Sequence, residues 1–545
     1  MESLDSYYKI GIKVDSLPVI EPESLLHGTY SSNTYVRFRG VIRQVSDPEL
    51  IGPIESNEMM HDPDSMKERV LLQVELFPFA TEWAKDRYYA NCPSFSTSDN
   101  RKRSQMHSNK KLEKRVKVTL EEKANAKPSR PFKAADSSRV NVYVYENQCQ
   151  SVKNDAFRVN EAFDFVGVFD LSVTETRGVR LEEGPMSMID TEAFPQLEGA
   201  LLHCCDALQL TPLAMLQPHQ PFAFYQEMNS GNQSIRDHCL QYWSCHAEQS
   251  LEISTVREKL IHHIADGLLG DTVAAEYLLL CLLSRVYTRV NESTPLGNIS
   301  INLQLGRDIS KADSDVFISS MNARIKELVP LFSGLQVAVQ DLNSNDFIPH
   351  KEYTADCLRV GALQLPNGTA LVLDETNLSA GKLDEKGYRN INAVQSLISR
   401  MQLPYDFQYF HLEFPQDVSI VSVSGSKSVF SSLIQIPVQP GQLASKVLDP
   451  ASLRTSVECF RMYLVAMRSL QVKIGNEQAD TAEKYFVNRR KEDKCVTSED
   501  LDRWLRLARL QAISHGEDQV SNASWERVVD LDSIRSQRCI QFSSQ

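Results

Sequence analysis

The run Ala370-Leu371-Val372-Leu373-Asp374-Glu375 decides how this chain is read. Four apolar residues ending in adjacent carboxylates describe a buried parallel strand that delivers an acidic pair to the edge of a sheet. In phosphoryl-transfer ATPases such a pair holds the magnesium shell and polarises the attacking water. The pair does no chemistry without a loop to cradle the phosphates, so the fate of that loop separates an enzyme from a binding protein.

The best-placed loop lies upstream. Gly297 to Leu305 reads as a strand, Gly306-Arg307-Asp308-Ile309-Ser310-Lys311-Ala312-Asp313 as the loop, and Val316, Ile318, Met321 and Ile325 as the stripe of a helix ending before Pro330. Strand, loop and helix are the context a phosphate loop needs, but its chemistry is missing. Lys311 stands where a second glycine lets the backbone approach the phosphates. Ala312 and Asp313 stand where the phosphate lysine and the magnesium hydroxyl belong. Each lost charged hydrogen bond costs about 1.5–3 kcal/mol, and Asp313 repels phosphate. Lys311 serves as the phosphate lysine only after a one-residue slip. A second glycine-bearing stretch, Leu269-Gly270-Asp271-Thr272-Val273-Ala274-Ala275-Glu276, has Glu276 at the lysine place. It follows the helical stripe Leu260, Ile261, Ile264 and Leu268, so it reads as a helix-turn-helix junction.

Composition sets outer bounds. The 545 residues are 42% hydrophobic and 24% charged, the balance of a globular chain with two or more domains. The longest apolar runs, such as Leu278 to Leu283, fall far below the roughly 20 residues that cross a bilayer. Met1-Glu2-Ser3-Leu4-Asp5 has no basic-then-apolar character, so no secretory signal is expected. Eleven scattered cysteines read as reduced thiols of a cytosolic or nuclear protein. A net charge of −13 argues against a duplex-DNA binder. His203, Cys204, Cys205, His238, Cys239, Cys245 and His246 cluster in sequence without a C-x-x-C pair, and are read as buried thiols and surface histidines rather than a zinc site.

The N-terminal part has a different texture. Thr34 to Ile42, Val70 to Leu76, Val140 to Tyr145 and Phe163 to Phe169 alternate as half-buried strands do, which suggests a small β-barrel of OB-like type. Tyr35, Phe38, Tyr143 and Phe165 either form its core or stack on single-stranded bases, and core is the favoured reading. Residues 93–135 interrupt the strands with a polar, charged stretch expected to be disordered. It carries Arg101, Lys102, Arg103, Lys110, Lys111, Lys114 and Arg115. Those clusters read as a nuclear-import signal, a nucleic-acid contact or a solvated charged loop.

Tyr353 to Leu365, where Gly361-Ala362-Leu363 reads as a strand before the acidic pair, resembles the Walker B region of minichromosome maintenance (MCM) helicase subunits. Thr497 to Ala508 resembles their helical lid, opened by a Thr-x-x-Asp capping box with Leu501, Trp504, Leu505 and Ala508 as its apolar face. Leu268 to Leu280, Ser284 to Arg289 and Phe347 to Ala355 more closely resemble blocks of the MCM complex-binding protein family. The resemblance is strongest over residues 255–415.

That resemblance implies an α+β multidomain chain. An N-terminal OB-like β-domain would span 1–92 and 136–190, with the basic insertion at 93–135 and a connecting segment at 191–250. A degenerate AAA+-like α/β domain would follow at 251–475, and a helical lid with C-terminal tail at 476–545. The implied function is non-catalytic: binding MCM subunits in the nucleus, assisting assembly and stability of MCM complexes and promoting their unloading from chromatin, with chromatin association indirect. It implies no catalytic residue, metal, cofactor, membrane or small-molecule substrate. Gly306, Lys311, Asp374 and Glu375 would be the remains of the nucleotide site. The sensor arginine of the lid would fall at Glu499, and no arginine follows the strand Val418 to Ser424 before Arg454. The alternatives are a weak ATPase using Lys311 with Asp374 and Glu375, and a single-stranded nucleic-acid-binding factor built on the β-domain.

Overall fold

The computed structural model describes residues 17–20, 34–51, 67–89, 139–145, 157–170, 200–210, 231–246, 251–291, 294–306, 309–353, 357–432, 434–441 and 450–544. The basic clusters between Arg101 and Arg115 lie outside them. The chain is α+β and divides into two compact units, one drawn from Met1–Phe77, Tyr89–Val159 and Phe163–Gln209, the other from Pro78–Tyr88, Asn160–Ala162 and Leu210–Gln545.

The first unit contains β1 (Thr34–Val45), β2 (Glu49–Ile51), β3 (Lys67–Leu76), β4 (Arg139–Tyr145), β5 (Ala162–Asp170) and β6 (Ala200–Gln209). Strands β1, β5, β6, β4 and β3 pair in that order, and β1 pairs again with β3, so the sheet closes on itself. Closure removes the exposed edges that an open sheet must protect. Val36, Phe38, Val74, Val142, Phe163 and Phe165 fill the interior. Buried Tyr143 packs with Leu71, Tyr145 and Leu201. The aromatic residues Phe38, Tyr143 and Phe165 are thus core.

Strand β6 falls in the stretch read as a connecting segment. Its apolar residues do not keep one alternation, because Gly167 of β5 faces Cys204 while the next residue back, Val166, faces Asp206. The bulge at Cys205 flips the parity: Leu202 and Cys204 point into the barrel before it, Ala207 after it. Gly167 permits the approach, since a Cβ there would stand 2.3 Å from the His203 carbonyl oxygen. Asp164 is buried beneath Arg37 and Arg39. Burial works to raise its carboxyl, and the two guanidiniums more than reverse this, holding it below the usual carboxylate range.

The second unit is wound around a parallel sheet. Its helices are α1 (Glu82–Tyr89), α2 (Asn232–His246), α3 (Ile253–Asp266), α4 (Thr272–Leu283), α5 (Lys311–Leu328), α6 (Val339–Ser344), α7 (Glu385–Arg400), α8 (Pro450–Ser469), α9 (Asn476–Glu492), α10 (Ser498–Ser514) and α11 (Asn522–Ser544). The sheet is formed by β9 (Ser300–Gln304), β10 (Phe332–Gln336), β13 (Ala370–Asp374), β16 (Ser419–Ser424) and β17 (Ile434–Pro437), in the order β10-β13-β16-β9-β17, all parallel. Strands β7 (Thr288–Val290) and β8 (Thr294–Leu296) form a small hairpin. A separate sheet is built from β11 (His350–Glu352), β12 (Cys357–Arg359), β14 (Gln402–Asp406) and β15 (His411–Pro415).

Ile301 and Leu303, Val372, Val421 and Val423, all one face of the parallel sheet, join Leu260, Leu278, Phe317, Met321 and Tyr463 from the helices in one core. Each fully buried side chain of this size contributes about 1.5–3 kcal/mol. Helix α4 is buried without interruption from Tyr277 to Leu283, as expected of a helix apolar on all sides. Among the described residues no helix is long and apolar enough to cross a membrane. Two local readings change. Val316 is exposed, and Phe317 takes its place in the core beside Ile318, Met321 and Ile325. Gly361-Ala362-Leu363 is not a strand: β12 ends at Arg359, and Gly361 lies against the backbone of Phe347, 2.4 Å from where its Cβ would stand.

Candidate functional site

Ligands of open parallel sheets bind beyond the carboxyl ends of the strands, where the strand order reverses. In this sheet β16 is inserted between β13 and β9. The carboxyl edge therefore presents Asp374-Glu375, then Ser424, then the loop after Gln304. Strand β13 is buried along its whole length, as its sequence requires.

Both carboxylates already have donors from the chain. Asp374 Oδ1 accepts from the Thr376 amide at 2.9 Å and from the Thr376 hydroxyl at 2.6 Å. Ser428 Oγ lies 2.7 and 2.9 Å from the two oxygens of Glu375, and the Val429 amide donates to Glu375 Oε2 at 2.8 Å. Burial pushes the Glu375 carboxyl above its usual range, and the bonds from Ser428, Val429 and Ser422 oppose that rise. The segment from Gly425 to Ser432 is thereby folded over Glu375. Phe430 is buried, and the Ser431 amide bonds Gln395 of α7 at 3.0 Å.

Beneath this segment a polar seam joins β9 to β16. Asn302 donates to Ser424 Oγ at 3.1 Å and accepts from Ser422 Oγ at 3.1 Å, and Ser422 meets Ser432 at 3.3 Å. All of Asn302, Ser422 and Ser424 are buried. Sequence reasoning missed this seam and Ser428. The one signal for them is the hydroxyl-rich run Ser422-Val423-Ser424-Gly425-Ser426-Lys427-Ser428.

The loop after β9 is shorter than its sequence suggested. Gly306 adopts φ +107, a conformation suited to glycine; Arg307 and Asp308 lie outside the described residues. Helix α5 begins at Lys311, so Lys311, Ala312 and Asp313 form its exposed first turn rather than the end of a loop. The cause is a cap. Ser310 Oγ accepts from the Asp313 amide at 3.1 Å and donates to the Asp313 carboxylate at 2.6 Å. A helix start is where an anion binds in a phosphate loop. Here a carboxylate of the same chain sits on that turn.

The other glycine-bearing stretch is the helix-turn-helix junction that its pattern indicated. Leu269 and Gly270 turn with positive φ, and Asp271 caps α4 through the amides of Val273 and Ala274. Its other oxygen accepts from the Gln439 amide at 2.9 Å and from Arg538 at 2.6 Å. Glu276 pairs with Arg257.

The C-terminal helix α10 opens as read, with the Asp500 carboxylate accepting from the Thr497 amide at 2.8 Å. Trp504 and Ala508 are buried, and Leu501 and Leu505 pack against the core. Glu499 is exposed on the first turn. Arg506 donates to the carbonyls of Asn298 at 2.9 Å and Pro295 at 3.1 Å. Both precede β9, so α10 is anchored at the amino end of the sheet, opposite the acidic pair. Arg503 pairs with Asp500, and Arg509 donates to the Val472 carbonyl.

Of the cysteine and histidine cluster, Cys204, Cys205 and Cys239 serve packing. Cys204 and Cys205 are buried on β6, and His203 Nδ1 lies 2.6 Å from the Tyr145 hydroxyl. Cys239 is buried on α2, where burial pushes its thiol up. Among the described residues no group of three His, Cys, Asp or Glu is placed to hold a metal ion.

Comparison with known proteins agrees with the sequence blocks. The family described as mini-chromosome maintenance replisome factor matches residues 80–539. The mini-chromosome maintenance complex-binding protein of Salmo salar is 32% identical over 399 residues, which cover 72% of this chain and 62% of that protein. Its namesake in Homo sapiens is 32% identical, with 71% of this chain and 60% of the relative covered. The namesake in Danio rerio is 28% identical over 584 residues, covering 93% and 89%. The matched stretch thus spans about three fifths of the first two relatives and most of the third. With the match extending from α1 through both the acidic-pair strand and the C-terminal helices, the chain belongs to the mini-chromosome maintenance replisome factor family.

Proposed function

We propose that this chain is a non-catalytic binding protein for MCM helicase subunits, acting in the nucleus in the assembly and stability of MCM complexes and in their unloading from chromatin. The names of its relatives, as complex-binding proteins, support the partner. The observation that carries the non-catalytic reading is the closure of Glu375 by Ser428 and Val429. A glutamate that must polarise water needs a free oxygen facing the phosphate, and both oxygens of this one accept from the segment that covers it. Asp313 on the first turn of α5 supports the same reading.

The strand order supports an AAA+-like ancestry, with a polar-ended strand inserted between the acidic-pair strand and the strand that leads into the loop. The closed five-strand path, with β4–β6 as a parallel pair, supports an OB-like barrel. On this reading Gly306, Lys311, Asp374 and Glu375 are remnants of a nucleotide site, the basic clusters between Arg101 and Arg115 serve nuclear import, and chromatin is reached through MCM subunits. An ATPase-shaped subunit docks on its relatives without entering their hydrolysis cycle.

The test is capture of separately expressed MCM subunits by the purified full chain. Binding of at least one subunit, equal with and without ATP, is expected. Failure to bind any subunit contradicts the proposal.

A further inference from the structure

The second unit carries an exposed aromatic projection that none of the preceding chemistry uses. Strands β14 and β15 form a hairpin whose tip holds Phe407, Tyr409 and Phe410. Tyr409 is 82% exposed, Phe410 52% and Leu412 45%. Such residues are a liability on a free surface unless something covers them. They are also held in place. Phe407 and Phe410 stack at 5.1 Å, Tyr353 meets Tyr409 edge-on at 6.0 Å, and the Tyr353 hydroxyl donates to the Phe407 carbonyl at 2.8 Å.

Beside the tip runs an open edge. Among the described residues β15 pairs on one side only, with β14. The Phe407 amide donates to the Phe410 carbonyl at 3.0 Å, and the register sets Tyr405 opposite Leu412 and Pro404 opposite Glu413. Hydrogen-bonded and non-bonded pairs alternate along an antiparallel ladder. The bonded pairs are then Tyr405–Leu412 and Leu403–Phe414, which agrees with Pro404 having no N–H. The N–H and C=O groups of His411 and Glu413 therefore point away from β14.

We propose that this edge takes an extended strand from an MCM subunit, with apolar side chains against Phe410 and Leu412 and a basic residue facing Glu413. The inference rests on the proposed function and names the surface that performs it. Strand addition supplies affinity through main-chain bonds and specificity through alternate side chains. The rim is charged but closed: Arg389 pairs with Asp406, Arg400 with Glu413 and Arg359 with Glu352. An apolar centre within a neutral polar rim is the anatomy of a protein interface, whereas a nucleic acid needs unpaired cations. A second copy paired symmetrically about Glu413 would set two carboxylates opposite each other, each offset only by its surface bridge to Arg400. A basic partner residue would share the carboxylate with Arg400, whose bridge to Glu413 lies at the surface, where such pairs are weak and exchange readily.

The experiment measures affinity of the full chain for purified MCM subunits. Three variants are used: Tyr409→Ser with Phe410→Ser, Glu413→Pro and Glu413→Lys. Both Glu413 variants give up the surface bridge to Arg400; Glu413→Pro also removes an outward N–H and leaves the bonds to β14 intact, whereas Glu413→Lys keeps the backbone and reverses the charge. Each is expected to weaken binding about tenfold or more, as central interface residues do, with the melting temperature of the parent. Wild-type binding that none of the variants alters overturns the surface and leaves the proposed function standing. Loss on the aromatic change alone, with both Glu413 variants unaffected, overturns strand addition. A labelled single-stranded oligonucleotide that binds the parent and not the aromatic variant, or a parent dimer that the variants make monomeric, overturns the choice of occupant. A parent that binds no MCM subunit overturns both proposals.

Discussion

Ser428 donates to Glu375 from 53 residues further along the chain, reaching both carboxylate oxygens within 2.9 Å. This one contact turns the end of an apolar strand into a closed corner. It also makes the corner testable, because a buried carboxylate and the hydroxyl that satisfies it have opposite responses to mutation.

Removing the hydroxyl by Ser428→Ala leaves the buried carboxylate with the Val429 amide and Ser422 only, and should cost about 1–3 kcal/mol. Glu375→Gln should behave otherwise. Burial raises the folded-state pKa above the ordinary 4.5, so the folded chain binds the extra proton more readily than the unfolded chain. The stability this group contributes is present below 4.5 and declines as pH rises through the folded value. At neutral pH Glu375→Gln should melt at or above the parent, and the difference should shrink toward pH 4. Urea melts of both proteins at several pH values give the comparison.

Asp271 has no exposed side-chain surface and pairs with Arg538 at 2.6 Å while capping α4. Asp271→Ala strands a guanidinium and removes the cap, and breaking such a buried pair costs about 3–5 kcal/mol. Chemical denaturation of the full chain should lose that much stability. Asp271→Asn should lose less, because its oxygen still accepts from the helix amides.

His515 gives a pH dependence of the opposite sign. Burial, reinforced by the Arg257 charge, depresses its pKa from 6.5 to about 4. Its Nδ1 lies 2.9 Å from the Gln511 carbonyl oxygen, so the neutral ring donates there. Between pH 6.5 and 4 the unfolded chain binds the proton and the folded chain does not. Stability is therefore full above 6.5 and is lost as pH falls toward 4, by at most about 3 kcal/mol. His515→Gln should flatten this slope in melts recorded across the window.

The elements most legible in the sequence were those with strong local periodicity. The strand Ala370 to Asp374 is apolar up to its last residue because it is buried along its whole length. The junction at Leu269 and Gly270 was legible because helical stripes flank it. Strand β6 was not, since the bulge at Cys205 breaks its alternation. Strands β14 and β15 were hidden by Pro404 and Pro415, which argue against strands except at edges and strand ends. The donors that close Glu375 come from a distant hydroxyl-rich segment, and no local pattern announces a contact of that separation. The start of α5 was misplaced for a nearer reason: reading Lys311 to Asp313 as a failed phosphate loop obscured the Ser310-x-x-Asp313 cap that begins the helix.

Calorimetric titration of the full chain with Mg-ATP bears most directly on the claim that this corner holds no nucleotide. No saturable heat is expected at micromolar to millimolar ATP, for the parent or for Asp374→Ala. Micromolar binding by the parent that Asp374→Ala abolishes would contradict the account.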